Sequence, residues 1–146
     1  MAEVYLKSVG AEARVMFREV SLSERLERLL KLLTNDCPNV EAAALVSTDG
    51  LIMASALNGD ADEDKVAAMS AALLSVAEKI GRELGRGDFE AAIVRGSEGL
   101  AIVTPVDSEA LLVVLAGKRS RLGLILYEMK HVSNMLKQEL KGVQPL

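Results

Sequence analysis

The sequence predicts an α/β domain whose elements run helix, strand, strand, helix, strand, strand, strand, helix. Three observations predict it. Two short apolar runs, residues 40–47 (VEAAALVS) and 51–57 (LIMASAL), are joined by Thr48-Asp49-Gly50. Asp-Gly between apolar runs signals a hairpin, because glycine accepts the positive φ of a tight turn. Three more apolar runs follow one another through connections short enough for antiparallel hairpins. Before, between and after the strands stand segments whose apolar residues recur at helical spacing.

Residues 1–20 read as an N-terminal extension to which no function is assigned. Val4, Tyr5, Leu6 and Val9 suggest a short strand there, and Ala11 to Val20 has a loose helical spacing. The domain proper is expected over 21–141, with 142–146 as a tail. Ser21 and Glu24 make the S-x-x-E spacing in which two side chains satisfy free N–H groups at a helix start. Leu22, Leu26, Leu29, Leu30 and Leu33 follow at helical spacing, with Arg25, Glu27, Arg28 and Lys31 on the other side. The run from Thr34 to Asn39 contains Pro38 and stops the helix.

After the first hairpin, residues 58–64 (NGDADED) form an acidic loop. Asp62, Glu63 and Asp64 suit the positive end of the next helix, so the cluster reads as helix initiation rather than a metal site. No glutamate closes it at the twelfth position of a calcium loop. The middle helix is expected over about 62–84, with Val66, Met69, Ser70, Leu73, Ala77, Ile80 and Leu84 as its core stripe. Its other side carries Ala68, Ala71, Ala72 and Ser75 and becomes charged only at Glu78, Lys79 and Arg82. A solvated helix face is normally rich in charge. A face of alanine and serine therefore predicts a second helix packed close, supplied by a second copy of the chain. Gly85, Gly87 and Asp88 end the helix, strands are expected at 89–95, 99–106 and 109–116, and a last helix at 119–140. Leu122, Ile125, Leu126, Met129, Val132, Leu136 and Leu140 would line its buried side.

Composition excludes several functions. The 146 residues suit one domain, half of them are hydrophobic, and 17 basic against 21 acidic residues give a formal charge of −4. A mildly acidic chain without a basic cluster lacks the footprint of a nucleic-acid binder, and no polybasic run favours anionic lipid. No stretch is apolar for the ~20 residues a membrane span needs, and MAEVYLKSVG does not read as a secretory signal. A cytoplasmic protein is expected. Aromatic residues make up 3% of the chain, with no tryptophan, which argues against stacking platforms for bases or sugars.

The chemistry-bearing residues are few. His131 is the only histidine and Cys37 the only cysteine, so multi-histidine or multi-cysteine metal sites are excluded. His131 falls on the outer side of the last helix, and Cys37 reads as an inert buried thiol. The glycines of GRELGRG follow a helix and do not fit G-x-G-x-x-G, and no G-x-x-x-x-G-K-[ST] is present. No catalytic residue, cofactor or metal is expected, and the chain does not read as an enzyme.

Three stretches in this order resemble the Roadblock / dynein light chain family, with its longin- and profilin-like fold: VEAAALVSTDGLIMAS, DKVAAMSAALLSVAEKIGRELG and EAAIVRGSEGLAIVTPVDSEALLVVLA. Val40, Val46, Ser47, Asp49 and Gly50 match the family's first hairpin, while Glu41 and Ala42 stand in place of its usual small pair. The resemblance implies an α+β sandwich: a five-stranded antiparallel sheet, the middle helix on one face and the two terminal helices on the other. It further implies a homodimer in which the middle helices pack and the strands after them pair edge to edge. The expected dimer residues are Ala68, Ala71, Ala72, Ser75, Phe89, Ala91 and Ile93.

By the same resemblance the chain is a non-catalytic regulator or scaffold that binds a small Ras-like GTPase. The charged Lys65, Lys79 and Arg82 are the candidates for partner contact, since charge is depleted from the centre of permanent interfaces. Arg82 and Arg86 read as positive charge at a helix C-terminus rather than as arginine fingers. The alternative is a structural adaptor in a larger motor or signalling complex, without effect on GTP turnover. A small-molecule sensor is disfavoured by the scarcity of aromatic residues.

Overall fold

The structure is a computed structural model and describes residues 11–57 and 61–142, with side chains from Leu22 onward. The elements are α1 (Ala11–Asp36), β1 (Val40–Ser47), β2 (Ile52–Leu57), α2 (Glu63–Glu83), β3 (Ala92–Arg95), β4 (Gly99–Pro105), β5 (Ala110–Gly117) and α3 (Leu122–Lys141). The five strands form one sheet in the order β2-β1-β5-β4-β3, and all neighbours are antiparallel. This is the predicted architecture.

Local chemistry explains the turns that set it. In the first hairpin the Ser47 N–H donates to the Leu51 carbonyl at 2.8 Å, and the Gly50 N–H donates to the Ser47 carbonyl at 2.9 Å. Gly50 sits at φ +87°, where a side chain would be strained. Asn39, between α1 and β1, takes φ +68°, a conformation that asparagine tolerates better than other side chains.

Strand alternation sends successive residues to opposite faces of the sheet, so one sheet makes two cores. On one face Leu26, Leu30 and Leu33 of α1 and Ile125, Met129, Val132 and Leu136 of α3 close over Ala43, Leu45, Ile102, Leu112 and Val114. On the other, Ala67 and Leu74 of α2 cover Ala44, Val46, Val103, Leu111 and Val113. The middle helix thus stands alone on its face. Arg25 Nε donates to Glu139 Oε2 at 2.7 Å and ties the outer sides of α1 and α3 together.

Two expectations about element bounds are corrected. The first helix begins at Ala11, not Ser21. No glycine or proline separates residues 11–20 from the leucine repeat, so nothing stops the helix at Ser21. Glu24 instead pairs with Arg28 one turn on, at 3.9 Å. The strand expected at 89–95 is confined to Ala92–Arg95, because Phe89 turns in to pack against the core under α2 rather than continuing the ladder. The suggested strand at Val4–Val9, and the tail from residue 143, lie outside the described residues.

Candidate functional site

α2 is positioned at both ends by specific contacts. Asp62 caps its start, accepting hydrogen bonds from the Asp64 and Lys65 N–H groups at 3.1 and 3.2 Å, so the acid cluster serves helix initiation as expected. At the other end the Arg86 and Gly87 N–H groups donate to the Gly81 carbonyl at 2.7 and 3.2 Å. A Cβ on Gly81 would lie 2.7 Å from the Gly87 oxygen, so this glycine permits the chain to fold back against the helix.

The core stripe read from the sequence is right at Ser70, which is buried, and at Val66 and Leu73, which pack against the core under α2, and wrong at Met69, Ile80 and Leu84. The residues buried on the sheet are Ala67, Ser70 and Leu74, with Ala67 only 1% exposed. Met69, Val76, Ile80 and Leu84 are 66%, 57%, 51% and 65% exposed. The helix is apolar on more than half its circumference, and periodicity alone does not say which part meets the sheet. Close approach decides it: Ala67 lets the backbone of α2 sit down on β1 and β2.

The small residues have a neighbour within the chain. A Cβ built on Gly50 would lie 3.6 Å from the Ala68 Cα and 3.6 Å from the Ala71 Cβ. The tip of the first hairpin therefore rests on α2 at Ala68 and Ala71. Sequence reasoning missed this contact; its signal is a glycine turn and an alanine helix flank on the same side of one sheet.

What remains outward divides into two flanks, since each residue turns about 100° around the helix axis. Met69, Val76 and Ile80 fall along one flank, with the partly buried Leu73 on its sheet side. Lys65, Ala68, Ala72, Ser75, Lys79 and Arg82 fall along the other, and all six of these are exposed. Lys79 lies 4.0 Å from Glu83 and Arg82 lies 4.0 Å from Glu78, each a pairing along the helix itself. The Arg86 Nε donates to the Leu84 carbonyl at 3.0 Å, the helix-end role expected for it.

The edge of the sheet adds to the apolar flank. Among the described residues β3 has β4 on one side and no strand on the other. Val94 pairs with Ala101, and alternation from Val103 places both on the α2 face; Val94 is half exposed. Ile93 points to the opposite face and is 42% exposed, and Ala91 is also exposed, whereas Phe89 is partly buried against the α2 core.

The remaining reactive groups stand apart from this surface. Cys37 is buried at the end of α1, and burial pushes its thiol up, helped by the Glu128 and Asp36 carboxylates. His131 is exposed on α3, with its ring edge-on to Tyr127 at a centroid distance of 4.6 Å. Among the described residues no group of three His, Cys, Asp or Glu is arranged to hold a metal ion, and no helix is long and apolar enough to cross a membrane.

The Roadblock/LC7 domain signature matches residues 26–116, which span the chain from α1 to the end of β5. The chain belongs to the Roadblock/LC7 family. The uncharacterized protein MJ0310 of Methanocaldococcus jannaschii is 33% identical over 112 residues, 77% of this chain and 96% of that protein. The Roadblock/LC7 domain from Streptomyces avermitilis superposes with a TM-score of 0.75 at 27% identity, covering 79% of this chain and 97% of that domain. MglB in a tetrameric arrangement superposes at 0.78, with 18% identity, over 84% of this chain and 93% of that one, a likeness of fold. The Roadblock/LC7 signature spans α2 whole, so the divided helix surface lies inside the family domain.

Proposed function

We propose that this protein is a non-catalytic, cytoplasmic homodimer that binds a small Ras-like GTPase and modulates its nucleotide cycle or its placement. The observation that carries the reading is the division of the outer surface of α2 into an apolar and a charged flank. Four large apolar side chains exposed along one helix, beside an exposed strand edge, form a patch that monomeric proteins rarely leave in water. A second copy placing its own α2 and β3 against the same elements covers both at once, with Met69, Val76 and Ile80 at the seam and Ala91 and Ile93 along the paired edges. A twofold arrangement of this kind closes on itself.

The charged flank then lies outside the seam. Ala68, Ala72 and Ser75, expected at first in the dimer contact, are reassigned to this outer face, where small side chains keep it flat. Lys65, Lys79 and Arg82 from both copies surround it. Family membership supports a small GTPase as the kind of partner. Holding a switch loop of a GTPase in one arrangement is sufficient to shift its activity, and needs no catalytic group from this chain.

The test pairs light scattering with capture of Ras-like GTPases encoded in the same genome. Wild-type protein is expected to scatter as a dimer and retain a GTPase. Reversal of both charges, Lys79→Glu with Arg82→Glu, is expected to keep the dimer and weaken GTPase retention. A stable micromolar monomer sinks the assembly. A dimer that retains partners but no GTPase turns the reading to the structural adaptor.

A further inference from the structure

Among the described residues the sheet has a second edge without a partner strand, at β2, on the opposite side from β3. Strand edges carry rows of unpaired N–H and C=O groups, and proteins usually blunt them with lysine, proline or a bulge. β2 reads IMASAL, without charge or proline. Its pairing with β1 jumps from Leu45↔Ala54 to Val46↔Ile52, so Met53 is an extra residue that disrupts the first part of the strand. From Ala54 to Leu57 the ladder is regular, and among the described residues no strand pairs with its outer edge.

That regular part is the floor of a cleft. A groove of about 410 Å³ runs along residues 55–57, with Glu27, Lys31, Thr34 and Asn35 of α1 on one wall and Glu63 of α2 on the other. The Ser55 hydroxyl donates to the Glu63 carboxylate at 2.7 Å, which fixes that wall against the strand. A strand edge between two helices offers an extended peptide main-chain hydrogen bonds along its floor and side-chain contacts along its walls. Of the charged side chains that line the groove, Glu27 and Glu63 stand against Lys31, so its walls carry a net negative charge.

We propose that the β2 edge is a docking site for an extended, lysine- or arginine-bearing segment of a partner protein, which adds to the sheet as a further strand beside Ser55–Leu57. A second copy of this chain is a poorer occupant. With β3 already pairing in a dimer, twofold pairing at β2 as well would run on without closing. Only that closure argument rests on the proposed dimer; the cleft itself is independent of the α2 surface.

The test uses the full chain and a short acetylated, amidated peptide of alternating lysine and valine, followed by amide NMR and light scattering. Saturable shifts centred on residues 55–57 are the expected result, with new protection from exchange of the outward amides of Ser55 and Leu57, which alternate with those bonded to β1. Glu27→Lys should weaken binding by about threefold or more, as loss and reversal of one exposed ion pair do. A peptide with glutamate in place of lysine, or with a central proline, should lose it. Shifts elsewhere, equal binding of the glutamate peptide, or Ser55 and Leu57 amides already protected in the free protein would each overturn the proposal. Light scattering run alongside separates this outcome from failure of the dimer, since a monomer that still binds the peptide refutes only the latter.

Discussion

Gly50, at the tip of the first hairpin, rests against Ala71 of the middle helix: a Cβ on the glycine would stand 3.6 Å from that of the alanine. Two local features of the sequence, a turn glycine and a run of small helix residues, are thereby one tertiary contact. The contact holds α2 across the sheet and leaves its Met69–Ile80 flank outward.

Enlarging either member should weaken the fold. Gly50→Ala forces a side chain into positive φ, and the loss expected is about 1 kcal/mol. The space at 3.6 Å is ordinary contact, so conformation rather than collision causes it. Ala71→Leu must push the hairpin tip away and should cost about 1–3 kcal/mol. Urea midpoints measure both, and unchanged midpoints would contradict the packing.

On the apolar flank, Val76→Lys and Ile80→Lys should convert the dimer to monomer without lowering the monomer's own stability much, because both side chains are exposed within the chain. Ala72→Glu, on the charged flank, should leave the dimer in place. Sedimentation velocity of the three variants distinguishes the flanks. A dissociated Ala72→Glu with an intact Val76→Lys would return the seam to the small residues.

Cys37 should resist alkylation while the protein is folded. Its raised pKa, from burial first and then from Glu128 and Asp36, keeps the thiol protonated near neutral pH, and thiolate is the reactive form. The sign for stability follows. A pKa raised on folding means the native state holds the proton more tightly, so this contribution is full below the ordinary thiol value of 9.0 and lost as pH climbs through the folded value. Native iodoacetamide labelling as fast as in denaturant would show the site to be open.

Cutting the link between the terminal helices should matter little. Arg25 and Glu139 are 43% and 32% exposed, so solvent screens the pair. A double-mutant cycle with Arg25→Ala and Glu139→Ala should give a coupling of no more than about 1 kcal/mol, smaller in high salt. A larger coupling would mean that the pair is less accessible than its exposure indicates.

Element order was legible in the sequence because it depends on local signals: the Asp49-Gly50 turn, the Asp62 cap, and leucines at helical spacing in α1 and α3. The two-faced sheet came from the family resemblance alone. The rotation of α2 was not legible. Met69, Leu73 and Ile80 have the spacing of a core stripe, and so do Ala67, Ser70 and Leu74. Choosing between them needs the shape of the sheet and the position of Gly50, which no window along the chain contains. The start of α1 was misread for a related reason. Ser21 and Glu24 satisfy a capping spacing, yet that same spacing places two residues on one side of any uninterrupted helix. Lys79 and Arg82 were legible as one helix side with Ala68, Ala72 and Ser75 from the 3.6-residue period; how that side sits relative to the sheet emerged only with the helix orientation.

The aliphatic make-up of both cores has an optical consequence. The chain contains no tryptophan, and Tyr127 projects from α3, which lies across the sheet from the α2 surface. Unfolding will therefore pass almost unseen in near-ultraviolet emission and is better followed by the amide signal of the helices. The same darkness makes the protein a clean background: when excitation is set for indole, all emission in a mixture belongs to the binding partner, and changes in it report engagement of that partner without a label on either molecule.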